Sequence, residues 1–515
     1  MIPFVGRLTL NEWLLIFLVY TEKLLSIFVS IFVPRKLTKF SQYILNLIIY
    51  TIVPGITNDG KGTSNGSISK EELKLINSKN IKEMLELLDP NLKMEEHIVT
   101  TKDGYLLTLH RIPPRNINAN GSNGVIYLHH GLLMCSDIWL CHTHDDNSNR
   151  ERNLPLYLYY LKNYDIWLGN NRGNKYSAYH VDRSINEEKF WDFSIDEFAM
   201  FDIPSTIDYI LNITHVKQIN SIIAFSQGSA QIFASLSLHP ELNSKINNFI
   251  ALAPAMTPPG LYNPIVDTLM KTSPQLIYLF FGKKILLPSA NTIWSKALPL
   301  QFFIKSIKLA NKFLFNWESH NINKCEKVAY LKLYSPTSVK CVVHWFQILN
   351  AQKFQMFQDI SSRHLNDDSL FNAMRFPTKT NIKIPVLLIY GETDSLVGES
   401  AINIMMKNLP ESSTFKVCVK NHEHLDIIWG DDVDQVVYPH VLKFIEFWNS
   451  NSEDITAVNT IGSVNDRTLT GCKNQQHDQS RIANKINTTV GSANNSRNNS
   501  VTNIKLIKHS KRLSI

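Results

Sequence analysis

Ile219-Asn-Ser221-Ile222-Ile223-Ala224-Phe225-Ser226-Gln227-Gly228-Ser229-Ala230-Gln-Ile-Phe-Ala-Ser235 is an apolar strand running directly into a helix of small residues, with a serine at the junction. A tight turn between strand and helix lifts such a serine hydroxyl above the edge of a sheet. The residues two before and two after it must be small, because larger side chains would strike the adjoining strand and helix. Gly228 meets this requirement, and Ala224 stands where a Gly-x-Ser-x-Gly pattern has its first glycine. The alanine weakens the motif as a string but respects its steric reason.

Working outward, the same rhythm of apolar run, loop and helix recurs. Val125–Leu128 precedes the His129-His130-Gly131 loop, and Tyr164–Leu168 precedes Gly169-Asn-Asn171-Arg172-Gly173. Further runs follow at 248–253, 384–390 and 414–419. Short continuous apolar strands separated by helices predict an α/β fold with a mostly parallel central sheet covered on both faces. Upstream, His97–Thr101 and Tyr105–Ile112 flank Lys102-Asp103-Gly104, a hairpin signal. The stretch from Thr257 to Lys379 breaks the rhythm with aromatic, helical-looking segments and predicts a cap or lid inserted between two strands of the sheet.

The chain has 515 residues, 44% of them hydrophobic and 19% charged, which excludes global disorder. Its net charge of +7 invites a nucleic-acid reading, but the distribution argues otherwise. Residues 1–55 carry +3 and residues 451–515 carry +5, leaving the stretch between at −1 and without a basic groove for phosphates. Cys135, Cys141, Cys325, Cys341, Cys418 and Cys472 form no CxxC pair and show no zinc-ligand spacing. They read as separate thiols, in keeping with a reducing compartment. Residues 1–55 hold two long apolar stretches interrupted by Glu22-Lys23 and Pro34-Arg-Lys36, and no signal-peptidase-like site follows the first. A straight span would place Glu22 and Lys23 near mid-bilayer, so a hairpin or in-plane helix competes with a spanning one. Segmentation follows: a membrane-anchoring segment at 1–55, a polar linker at 56–80, sheet-bearing core at 81–256 and 380–450, the cap at 257–379, and a disordered basic tail at 451–515.

A serine near neutral pH needs a base, and the base needs a group to orient it. The strand 386–390 ends in Gly391-Glu392-Thr-Asp394, placing a carboxylate beyond a strand's carboxyl end. The strand 414–419 leads into Asn421-His422-Glu423-His424-Leu425-Asp426. Serine, acid and histidine thus arrive in the order used by α/β-hydrolases. Asp394 and His424 are the preferred pair, with Glu392 the alternative acid and His422 the alternative base. Asp426 reads as a supporting carboxylate or a helix-start cap. Backbone N–H donors for an oxyanion are expected from Gln227 and from the loop His129-His130-Gly131-Leu132-Leu133.

With these residues in place, the chain resembles the acid lipase branch of the α/β-hydrolases over about residues 95–448. The likeness is carried by Thr101-Lys-Asp-Gly-Tyr-Leu-Leu107, Arg111-Ile-Pro113, His130-Gly-Leu-Leu133, Asp165-Ile-Trp-Leu-Gly169, Asn171-Arg-Gly-Asn174 and Tyr176-Ser177. Phe190-Trp-Asp-Phe-Ser194, Asp202-Ile-Pro204, Ser226-Gln-Gly228 and His424-Leu-Asp-Ile-Ile-Trp-Gly430 extend it. Within the branch it is most similar to fungal, membrane-anchored steryl ester hydrolases of lipid droplets, through His129–Cys135, Ala224–Ala230 and the apolar N-terminus. The resemblance implies Ser226 as nucleophile, Asp394 as orienting acid, His424 as base, and the amides of Leu132 and Gln227 as oxyanion donors. Asn171-Arg172-Gly173 is then a structural signature.

It further implies hydrolysis of a steryl ester, with triacylglycerol as the alternative substrate, at a lipid-droplet or endoplasmic reticulum membrane surface. Neither metal nor organic cofactor is required, and nucleic acid is not a partner. The alternative from another class is a catalytically silent, membrane-tethered lipid-binding protein.

Overall fold

The computed structural model describes residues 69–115, 123–143, 151–264, 267, 277–278, 281–286, 298–358 and 373–461, the last eleven as backbone only. The expected membrane anchor at 1–55, residues 56–68 of the expected linker and the tail beyond 461 lie outside the described residues.

The strands are β1 (Glu95–Thr100), β2 (Tyr105–Ile112), β3 (Val125–His129), β4 (Asp165–Leu168), β5 (Tyr179–His180), β6 (Ser221–Phe225), β7 (Phe249–Leu252), β8 (Val386–Gly391) and β9 (Thr414–Val419). They form one sheet in the order β1-β2-β4-β3-β6-β7-β8-β9, with β5 against β2. The β1–β2 hairpin and the β2–β4 and β2–β5 pairings are antiparallel; every pairing from β4 through β9 is parallel. Each residue of β3, β4, β6, β7 and β8 is buried, as a parallel sheet covered on both faces requires. Burying one Leu, Ile or Phe fully contributes about 1.5–3 kcal/mol, so these five strands anchor the core.

Register decides where function can gather. His129 pairs with Ala224, Phe225 with Leu252, Leu252 with Ile389, and Gly391 with Val419. The carboxyl ends of β3, β6, β8 and β9 therefore share one edge, and the loops leaving them are neighbours.

Helices of seven residues or more among the described residues are α1 (Lys70–Asn77), α2 (Ile81–Leu88), α3 (Leu154–Lys162), α4 (Ile203–Thr214) and α5 (Gln227–Leu238), followed by α6 (Leu300–Phe315), α7 (Glu326–Lys332), α8 (Val339–Ala351), α9 (Glu399–Lys407) and α10 (Tyr438–Ile461). None of the described helices is long and apolar enough to cross a membrane. Helices α6, α7 and α8 all lie between β7 and β8, in the stretch that breaks the sequence rhythm.

Two segment readings are corrected. Residues 70–77, taken with the polar linker, form α1, because the Ser69 hydroxyl accepts the Glu72 N–H and Leu75 is buried. Lys327 pairs with Glu72 at 3.2 Å and Lys332 donates to the Ser78 carbonyl at 2.6 Å, so α1 is docked on α7. At the other end, α10 continues to Ile461, eleven residues into the stretch read as disordered tail.

The Asn171-Arg172-Gly173 loop after β4 is a structural clamp. Arg172 is almost fully buried; its Nε donates to Asp202 at 2.9 Å and its Nη1 to Asp103 at 2.6 Å, while the guanidinium lies 3.9 Å from the Tyr105 ring centroid. It ties the β1–β2 turn to the start of α4. Replacing Arg172 by leucine strands a buried Asp202, and loss of one member of a buried pair costs about 3–5 kcal/mol. A urea unfolding midpoint lowered to match is the expected result, and an unchanged midpoint contradicts the clamp.

Candidate active site

The backbone of Ser226 has φ 50° and ψ −120°, a conformation a serine adopts only when its surroundings hold it there. Its N–H donates to the Leu252 carbonyl of β7 at 2.9 Å, and its carbonyl accepts the Ser229 N–H at 2.9 Å. Both main-chain groups are thus used, and the side chain is thrown off the sheet edge. Close approach explains the small flank: a Cβ on Gly228 would sit 2.5 Å from the His130 carbonyl oxygen. Ala224 is fully buried in β6, where its methyl is accommodated.

The Oγ–H of Ser226 donates to Nε2 of His424 at 2.8 Å, and Nδ1–H of His424 donates to Oδ2 of Asp394 at 2.7 Å. Oδ1 of Asp394 accepts the N–H groups of Leu396 and Val397 at 2.9 and 3.2 Å, which fixes the carboxylate. All three residues are buried, with Ser226 the most accessible at 8%. The β8 and β9 loops are pressed together, since a Cβ on Gly391 would lie 2.1 Å from the His422 carbonyl oxygen, which also accepts from Thr393.

The structure places the alternatives elsewhere. Glu392 is exposed and accepts the Asn421 N–H at 3.2 Å. His422 is engaged with Asp432 at 3.0 Å, with Asn321 at 2.9 Å and with the Lys420 carbonyl at 2.8 Å. Burial opposes its charge, but the bonds to Asp432 and the Lys420 carbonyl, with the charges of Asp432 and Asp426, together outweigh it and its pKa is raised. Asp426 starts a short helix, its Oδ2 accepting the Glu423 N–H at 2.8 Å; burial pushes its carboxyl up to about 6.

Gln227 is the first residue of α5, so its N–H has no intrahelical acceptor. Its side-chain oxygen accepts from Trp345 Nε1 at 2.7 Å and from Cys341 Sγ at 3.3 Å, both on α8. Leu132 sits in the loop after β3, where Leu133 has φ 58° and its carbonyl accepts the Ser335 N–H at 2.6 Å. Beneath this loop lie two neutral histidines. His130 accepts from the Asn171 N–H at 3.1 Å and from Asn174 at 3.2 Å, and donates through Nδ1 to the Gly131 carbonyl at 2.8 Å. His129 donates to Gln231 and Asn171 at 2.6 and 2.8 Å and accepts from Tyr127 at 2.7 Å. Burial lowers their pKa values to about 3 for His130 and about 4 for His129.

Sequence reasoning did not single out Trp317, Trp345 or Gln231. They reach the site from the segment between β7 and β8 and from inside α5, and only the fold brings them there. Cys135, Cys141, Cys325 and Cys341 are buried free thiols, and Cys418 is an exposed one. Among the described residues no group of three His, Cys, Asp or Glu is arranged to hold a metal.

A hydroxyl, imidazole and carboxylate in a hydrogen-bonded row at the carboxyl edge of such a sheet can carry acyl transfer, and fold and site together define a hydrolase of the α/β type. Residues 124–431 match the family described as "alpha/beta hydrolase fold", and residues 87–143 match a "partial alpha/beta-hydrolase lipase region". A probable lipase of Schizosaccharomyces pombe is 40% identical over 86% of this chain and 92% of its own. The lysosomal acid lipase/cholesteryl ester hydrolase of Rattus norvegicus is 33% identical, and the gastric triacylglycerol lipase of Homo sapiens 31% identical, each over 68% of this chain and 88% and 87% of its own. The chain belongs to the acid lipase branch of the α/β-hydrolases and is an ester hydrolase.

The buried histidines set a pH dependence of stability. His110, His129, His130, His142, His344 and His440 are held below 6.5 by burial, at about 4, 4, 3, 3, 4 and 4. As pH falls through 6.5 the unfolded chain takes up protons that the folded chain refuses, so each destabilises by about 1.4 kcal/mol per pH unit until its folded value is reached. Asp196, Asp202 and Asp426, raised by burial to about 7, 6 and 6, act oppositely as they take up protons in the folded state. The raised His422 acts with these three, and six lowered histidines outnumber the four, so the urea midpoint is expected to fall from pH 6.5 to 4.5; a rise over that interval contradicts the assignment.

Proposed function

We propose that the protein hydrolyses steryl esters to a free sterol and a fatty acid at a lipid surface, by an acyl-enzyme route on Ser226. The observation that carries this reading is the hydrogen-bonded row from Ser226 Oγ through the imidazole of His424 to Asp394. In it, Oγ attacks the ester carbonyl carbon while Nε2 of His424 takes its proton. Asp394 holds Nδ1–H and supports the imidazolium that forms. The carbonyl oxygen, now negative, is stabilised by the N–H groups of Gln227 and Leu132, the former at the positive end of the α5 dipole. Collapse breaks the bond to the sterol oxygen, which leaves with the proton from His424. Water, deprotonated by His424, then attacks the acyl-serine; the fatty acid departs and Ser226 recovers its proton.

Steryl esters are favoured by the likeness of His129–Cys135 and Ala224–Ala230 to fungal steryl ester hydrolases, and by a relative whose name includes cholesteryl ester hydrolase. Triacylglycerol is the second reading, supported by the gastric relative. The helices between β7 and β8 serve as a cap that shields the site and offers an apolar cavity. Residues 1–55 hold the enzyme in the membrane of a lipid droplet or the endoplasmic reticulum. An anchor suits such a substrate, which scarcely exists free in water.

The full chain, wild type and Ser226→Ala, offered cholesteryl oleate and triolein in matched emulsions, tests this. The reading expects hydrolysis of the steryl ester at the higher kcat/KM, and a loss of about three to six orders of magnitude in the variant. Near-normal turnover by Ser226→Ala overturns the mechanism; a clear preference for triolein overturns the substrate.

A further inference from the structure

The stretch from Asn316 to Lys324, between α6 and α7, lies along the segment that carries His424 and is fastened to it repeatedly. The Glu423 carboxylate accepts two main-chain N–H groups of that stretch, Glu318 at 2.9 Å and Ser319 at 2.8 Å. Asn321 donates to Asp432 at 2.9 Å, and the Lys324 N–H donates to Asp431 at 2.9 Å. The Ser395 hydroxyl, one residue beyond Asp394, donates to the Phe315 carbonyl. Ser319 itself is in the left-handed region, with φ 54°, and its hydroxyl accepts from Tyr330 at 2.6 Å.

The fastening delivers one side chain to the reacting group. The indole of Trp317 lies on the imidazole of His424 with ring centroids 4.9 Å apart and planes 5° from parallel. Phe315 stacks on the same indole at 4.2 Å and 19°, and Phe225 packs against the imidazole at 5.1 Å. The indole is buried, and its N–H has no hydrogen-bond partner among the described residues. A hydrogen bond therefore does not hold the ring there; the stack and the strap do. An imidazole hydrogen-bonded at both nitrogens can still tilt about that axis, and a parallel ring on its face resists the tilt. The same π face favours the imidazolium that forms during attack.

We propose that Trp317 and Glu423 together are a positioning device for His424. Glu423, adjacent to the histidine in sequence, clamps the loop that lays Trp317 on the imidazole. The inference rests on His424 acting as the base of the proposed mechanism. Because the device acts on a proton-transfer geometry and not on substrate binding, its loss is felt in kcat and not in KM.

The test measures kcat and KM of the full chain on p-nitrophenyl butyrate, a soluble ester that bypasses the lipid surface. Trp317→Leu and Glu423→Ala are each expected to lower kcat by about 10- to 100-fold with KM within about threefold of wild type. Glu423→Gln, which keeps one of the two accepting oxygens, is expected to retain a higher kcat than Glu423→Ala, and Trp317→Phe, which keeps an aromatic face, to hold kcat within about fivefold of wild type. The double variant Trp317→Leu/Glu423→Ala is expected to be no slower than the worse single, because both remove the same device. Single variants with kcat within threefold of wild type, or losses that multiply in the double variant, overturn the proposal while Ser226→Ala remains inactive. Activity in Ser226→Ala instead overturns the mechanism on which the proposal rests, which keeps the two failures distinct. Should Trp317→Leu fail to fold by circular dichroism, Glu423→Ala against Glu423→Gln decides the matter alone.

Discussion

Everything at the site depends on the backbone of one residue. Ser226 sits at φ 50° and ψ −120° between β6 and α5, where a conformation of this kind stores about 1–3 kcal/mol. The strain persists because β6 is locked in register between β3 and β7 and because the twelve-residue α5 is buried along almost its whole length. Gly228 lets α5 close against the His130 carbonyl, leaving no space for even a methyl group. That closeness sets the loop after β3, the serine and the first turn of α5 against one another. The hydrogen bonds to His424 and Asp394 are formed by loops whose strands are aligned by the same sheet. Remove the turn, and each of these groups is an ordinary loop residue.

The segment between β7 and β8 reaches the site at three points. Trp345 of α8 hydrogen-bonds the side chain of Gln227, Ser335 donates to the Leu133 carbonyl, and Trp317 stacks on His424. Three residues of the site are thus each touched by a different part of one inserted segment. Two of these contacts are hydrogen bonds, and the third is a ring stack whose loop is tied down by the Glu423 carboxylate. Any movement of this segment would be felt at the site through those bonds.

The fold and the three central residues were legible because local rules agree there. Ile222 to Phe225 is apolar and short, Ser226 is flanked by small residues, and Asp394 and His424 each follow a strand of the same sheet. Glu392 against Asp394, and His422 against His424, are separable only in space. In sequence both pairs sit two residues apart on the same loop, whereas the structure spends Glu392 on an amide and His422 on Asp432. Helix α1 was missed because Lys70-Glu71-Glu72 reads as polar linker, although Ser69 three residues before Glu72 was a capping signal. Trp317 and Trp345 left no trace in any local pattern. Their partners lie 107 and 118 residues away, and a tryptophan in an aromatic-rich stretch reads as core. The Asn171-Arg172-Gly173 signature owes its form to Asp103 and Asp202, a clamp made entirely of long-range contacts.

The account stands or falls on whether Ser226 becomes covalently acylated. The most direct measurement is mass spectrometry of the full chain, acid-quenched during steady-state turnover of cholesteryl oleate and digested to peptides. The account predicts one oleoyl group on the peptide containing Ser226, present in wild type and missing when His424 is replaced by alanine. An oleoyl group on a different residue, or turnover of cholesteryl oleate that survives replacement of Ser226 by alanine, would contradict it.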